Sequence, residues 1–118
     1  DYAHTPEALS YVLNSIKEIS KGKIITLFGC GGDRDKEKRK TMGEIANKFS
    51  DLIIVTDDNP REEDPSAIRN HILQYCTKGK EINGRADAIK YAIKNLKKND
   101  IFVFDDDKRQ KNNKRDDS

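Results

Sequence analysis

Tryptophan is absent from these 118 residues, and phenylalanine and tyrosine together make up only 7%. Any core must therefore be built from aliphatic side chains. Cysteine occurs only at Cys30 and Cys76, in neither a C-x-x-C nor a zinc-type spacing. Two reduced thiols in a cytosolic protein are expected, not a disulfide framework. No apolar run approaches the roughly 18 residues that a membrane helix takes, and nothing marks export. Neither sign of charge dominates: 23 basic against 21 acidic residues leave +2. That balance argues against nucleic-acid or membrane binding. Charge itself is plentiful, 37% of residues against 34% hydrophobic, which suits a single domain with a modest core and a highly charged surface.

The apolar residues alternate between two periods. Thr5, Pro6 and Glu7 form a helix start of cap, proline and acid. Leu9, Val12, Leu13, Ile16 and Ile19 follow at helical spacing, with Gly22 as the stop. Residues 24–28 are a nearly continuous apolar strand, and Met42, Ile45, Ala46 and Phe49 form the inward stripe of a second helix. Residues 52–56 read as a strand buried on both faces. Asp64-Pro65 repeats the helix start ahead of Ile68, Ile72 and Tyr75, with His71 beside the stripe and given no role. A short strand at residues 80–82, a helix through Ala86, Ile89, Ala92, Ile93 and Leu96, and a last strand at residues 101–104 complete the pattern. Strands alternating with helices predict an α/β fold: a three-layer, Rossmann-like, mainly parallel sheet with helices on both faces. Residues 1–104 are expected to form this domain. Residues 105–118, made almost wholly of Asp, Lys, Arg, Asn and Gln, are expected to be a disordered polar tail.

Two turns carry the chemistry. After the strand at 52–56 comes Asp57-Asp58-Asn59-Pro60-Arg61, where proline stiffens the turn and presents Arg61 from a fixed base. A guanidinium at the carboxyl end of a central strand is suited to bidentate capture of a carboxylate or phosphate. The plain alternative is a solvated turn bearing a surface arginine. After the strand at 24–28 comes Gly29-Cys30-Gly31-Gly32-Asp33-Arg34, whose glycines permit positive φ and close approach of a ligand. It partly imitates G-x-G-x-x-G, but Arg34 stands where the third glycine belongs, which weakens a dinucleotide reading. Residues 34–40 hold five basic and two acidic side chains. Lys36, Lys38 and Lys40 read as a solvated helix entry, whereas Arg34 sits directly on the glycine turn. Asp1 and His4, ahead of the first helix, are placed to meet a polar ligand such as a nucleotide, or to serve as local hydrogen-bonding residues.

Four stretches occur together in order: Asp1-Tyr2-Ala3-His4-Thr5-Pro6, the run from Phe28 to Lys36, Met42-Gly43-Glu44-Ile45-Ala46, and Asp58-Asn59-Pro60-Arg61. Jointly they resemble the C-terminal domain of the Mur ligases, of the diaminopimelate-adding type, over residues 1 to about 103. The resemblance implies part of an ATP-dependent, amide-forming, cytoplasmic enzyme of peptidoglycan precursor synthesis. It implies that Arg34, Asp58, Asn59 and Arg61 bind meso-diaminopimelate, and that Asp1 and His4 face ATP. ATP with its magnesium, and the UDP-MurNAc-L-Ala-D-Glu precursor, would be held mainly by domains outside this chain. Diaminopimelate exceeds lysine by one carboxylate, and a site built to pair that group rejects the analogue lacking it; Arg61 is the natural discriminator. The family's Gly-Lys-Gly-His-Glu turn is missing, with Asp105-Asp106-Asp107-Lys108-Arg109 in its place. The chain also starts at Asp1, directly inside a motif. A fragment without activity of its own is therefore expected. Two other readings are a stand-alone dinucleotide-binding module using Asp57 or Asp58 as the ribose acid, and a decayed remnant.

Overall fold

The computed structural model describes residues 5–32 and 36–104. Helix α1 (Pro6–Ile19) starts as its residue types dictate, with the Thr5 hydroxyl accepting from the Ala8 amide at 3.1 Å. Strand β1 (Ile24–Phe28) is buried throughout. It is followed by α2 (Lys36–Phe49), β2 (Leu52–Val55), α3 (Pro65–Leu73), β3 (Gly79–Glu81), α4 (Arg85–Asn95) and β4 (Ile101–Phe104). The four strands form one sheet in the order β3-β2-β1-β4, every pairing parallel.

Alternation along the strands divides the core in two, because successive side chains point to opposite faces. Ile24, Phe28, Ile53, Val55 and Val103 pack with Leu9 and Leu13 of α1, Met42 and Ala46 of α2, and Ile68 and Ile72 of α3. Ile25, Leu27 and Ile54 pack on the other side against Ala88 and Ala92 of α4. This is the expected three-layer parallel α/β architecture. Strand order reverses between β1 and β4, so the glycine turn leaves β1 at the edge of the crevice where open α/β sheets bind ligands.

Several local expectations shift. Helix α1 stops at Ile19, three residues before Gly22, and Ile19 is 74% exposed instead of lying on the buried stripe. In α4 the buried positions are Ala88 and Ala92. Ala86 and Ile93 point outward, while Ile89, Tyr91 and Leu96 pack half-buried against the cluster around the two alanines. Tyr75 lies past the end of α3, and the short strand begins one residue earlier than expected, at Gly79.

Candidate functional site at the carboxyl ends of β1 and β2

Parallel pairing brings Phe28 and Val55 into register, so the two expected turns leave the sheet side by side. They are bonded to each other. The Thr56 amide donates to Phe28 O at 3.0 Å, and the Gly32 amide donates to Asn59 O at 2.8 Å. The Arg61 guanidinium closes the exchange from the other side, its Nη1 donating to Gly32 O at 3.1 Å. Arg61 holds this pose at φ 51°, in the left-handed region. The strain is supported locally: the Arg61 amide donates to Asn59 Oδ1 at 3.0 Å, and the Asn59 amide donates to Asp58 Oδ1 at 2.9 Å. Asp58 and Asn59 thus brace the turn that carries Arg61.

The glycines here serve a purpose different from the one expected. A Cβ on Gly29 would strike the Thr56 carbonyl, and one on Gly32 would strike the Pro60 carbonyl. Among described glycines only Gly84 has positive φ. At Gly29 and Gly32 the missing side chain makes room for the neighbouring turn's backbone, so glycine is needed to weld the two turns together.

Two buried arginines that the sequence reading passed over hold the pair of turns from below. Arg39, in the run read as a solvated helix entry, is 2% exposed. It grips Glu63 with both terminal nitrogens, Nη2 to Oε1 at 2.5 Å and Nη1 to Oε2 at 3.2 Å. Its Nη2 also reaches Gly31 O at 3.4 Å, and its Nη1 lies 3.5 Å from His71 Nδ1, which gives His71 a place in the network. Arg69 of α3 bonds Asp57 and, through Nε at 2.6 Å, Glu81. Glu81 foremost, against the opposing effect of burial and with help from Asp57, holds the Arg69 pKa above its ordinary value. Asp57 in turn accepts from the Gly84 amide at 2.9 Å, while its carbonyl accepts from Arg85 at 2.9 Å. Its carboxylate is committed to the fold, which removes it as a ribose acid. One signal was available in the sequence: Arg39, Met42 and Ala46 are spaced three and four apart, so Arg39 shares the buried stripe of its helix.

Of the residues assigned by resemblance, Asp58, Asn59 and Arg61 therefore lie in one turn against the glycine turn. Arg34, Asp1 and His4 lie outside the described residues, so the convergence of Arg34 with Arg61 stays an assignment from sequence. Among the described residues, no group of three or more His, Cys, Asp or Glu side chains could hold a metal ion, and no helix is long and apolar enough to cross a membrane. Cys76 is buried, and burial pushes its thiol up to about 11.

A parallel sheet with helices on both faces and paired turns at adjacent strand ends defines a domain of the doubly wound class. The particular family follows from comparison. The chain belongs to the Mur ligases: the family described as Mur ligase, glutamate ligase domain, matches residues 1–104. Over 103 residues it is 50% identical to the UDP-N-acetylmuramoyl-L-alanyl-D-glutamate–2,6-diaminopimelate ligase of Agrobacterium fabrum, covering 87% of this chain and 21% of that protein. Over 108 residues it is 54% identical to the ligase of the same name from Rickettsia bellii, covering 88% and 23%. A solved structure bearing that ligase name superposes with a TM-score of 0.81 at 40% identity, over 88% of this chain and 22% of the other. The fold alone is shared with E. coli FolC in complex with ADP, TM-score 0.68 at 24% identity. The chain spans about a fifth of the length of the curated relatives it matches.

Proposed function

We propose that this chain is the amino-acid-binding domain of an ATP-dependent ligase that adds meso-diaminopimelate to UDP-MurNAc-L-Ala-D-Glu in peptidoglycan precursor synthesis. The observation that carries this reading is Arg61, seated at positive φ with its guanidinium docked on the glycine turn. The likeness to the diaminopimelate ligases supports it. In this reading Nη1 of Arg61 is spent on Gly32 O, and Nε and Nη2 meet the distal carboxylate of diaminopimelate. Arg34 takes the same small zwitterion from the glycine turn. Asp58 and Asn59 fix the turn and line the site. Asp1 and His4 face ATP, whose magnesium is held mainly outside this domain. ATP supplies the phosphoryl group that activates the glutamyl carboxylate. This domain's task is to deliver the amine of the incoming amino acid to that carbon and to reject lysine. The setting is the cytoplasm, where ATP is available. The domain proper is residues 1–104, and the chain alone does not ligate.

The test is Arg61→Ala in a full-length ligase carrying this domain. Loss of a desolvated, charge-assisted pair is worth about 1.5–3 kcal/mol, so KM for diaminopimelate should rise at least tenfold while KM for ATP stays put. Preference over lysine should shrink with it. An unchanged KM for diaminopimelate would remove Arg61 from the site.

A further inference from the structure

Among the described residues, the glycine turn and the turn bearing Arg61 are joined at Gly32, whose amide donates to Asn59 O and whose carbonyl accepts from the Arg61 guanidinium. Backbone bonds at an exposed loop open readily, so something must hold them closed. The group placed to do so is Arg39. It rises from α2 beneath both turns, 98% removed from solvent, bonded on one side to Gly31 O and on the other to both oxygens of Glu63. The Glu63 amide donates to Pro60 O at 2.9 Å, and that same carbonyl abuts the face of Gly32 where a side chain would sit. A shift of Glu63 therefore moves Pro60, and with it Arg61. Stability alone gives little reason to keep a guanidinium here, since apolar residues of similar volume often replace a buried ion pair without loss. The guanidinium is not even fully satisfied: its Nε is buried without a hydrogen-bond partner among the described residues. What an apolar side chain would not supply is a directional tie to two separate loops.

We infer that Arg39, through Glu63, is a positioning residue that latches the Arg61 turn onto the glycine turn and so sets affinity for the amino acid. Its ligand consequence rests on the reading of the site given above; the latch itself does not.

The latch is tested by amide hydrogen exchange on the 118-residue chain, comparing Arg39→Met, Glu63→Gln and the conservative Arg39→Lys with the unaltered protein. In the first two variants the Gly32 and Glu63 amides should exchange at least tenfold faster. The Thr56 and Ile82 amides, bonded to Phe28 O and Val55 O at the sheet ends, should speed up at least tenfold less than those two. Arg39→Lys should restore part of the protection. Uniform acceleration of all four amides would reduce Arg39 to a general stabiliser, and no acceleration would dismiss it; either result overturns the latch. In a full-length ligase, Arg39→Met should raise KM for diaminopimelate at least fivefold and leave kcat and KM for ATP within about twofold. If Arg61→Ala raises that KM and Arg39→Met does not, the positioning role fails. If Arg61→Ala leaves it unmoved, the site reading fails instead, and the exchange result still decides the latch.

Discussion

The two ends of the sheet are finished differently: arginines gather at one, aspartates and Lys78 at the other. At the carboxyl ends, arginines donate to loop carbonyls: Arg39 to Gly31 O, Arg61 to Gly32 O and Arg85 to Asp57 O. At the amino ends, Lys78 Nζ donates to the Asn47 and Ser50 carbonyls, each at 3.0 Å, and aspartates accept from backbone amides. Asp51 takes the Ile24 amide at 2.8 Å, and Asp100 takes those of Lys23 and Lys97, each at 2.9 Å. The difference lies in what remains. A carboxylate can only accept, whereas an arginine has five donors in a planar fork and can dock on a loop while still addressing an anionic ligand. In the proposed function, the ligand-facing end is the arginine end.

The comparison can be broken most severely at Arg39. Arg39→Met removes the two-pronged bond to Glu63, which is only 24% exposed. Removing one member of a buried pair costs about 3 kcal/mol at the low end. Thermal unfolding should then drop by more than about 10 °C, at roughly 4–8 °C per kcal/mol for a domain of this size; a shift of only a degree or two would show that the pair contributes nothing. Gly32→Ala comes next. Its Cβ meets backbone that cannot swing away, an overpacking worth about 1–3 kcal/mol, and Arg61-dependent binding should fall along with stability. Retained binding would mean that the two turns need not touch.

The thiols sharpen the contrast. Cys30 lies in the glycine turn and Cys76 near the start of β3, and both are buried. Loosening the latch through Glu63→Gln should speed labelling of Cys30 by a thiol reagent and leave Cys76 slow at neutral pH, with its pKa near 11. Equal acceleration of both would point to global opening.

The smallest effect is expected at the amino end. The backbone amides of Lys23 and Lys97 lower the Asp100 pKa. Its contribution is present above the ordinary aspartate pKa of about 3.9 and is lost as pH falls through the lower folded value. Asp100→Asn should therefore lose a little stability near neutrality and flatten the acid limb of a Tm–pH profile. An unaltered acid limb would take Asp100 out of the acid response.

Much of the architecture could be read from local pattern. The strands at 24–28, 52–55 and 101–104 announce themselves as short apolar runs between turn residues, and the α1 start is written in Thr5-Pro6-Glu7. Asp58, Asn59 and Arg61 were legible as a unit because proline makes the turn local. Arg39 was not, since its neighbours Lys38 and Lys40 carry the same charge and composition cannot tell a buried cation from a solvated one. The roles of Gly29 and Gly32 were hidden for a related reason: a glycine that admits a ligand and one that admits a neighbouring loop look alike in one dimension.

By itself, then, the sequence determined the order of elements, the three-layer parallel sheet and the turn that presents Arg61, because each follows from periodicity and short-range backbone chemistry. Only the tertiary structure decided that Arg39 is buried and that the two turns form one welded unit. A guanidinium can be buried here only because a carboxylate 24 residues further along the chain folds back to meet it, and that meeting is a property of the packed sheet.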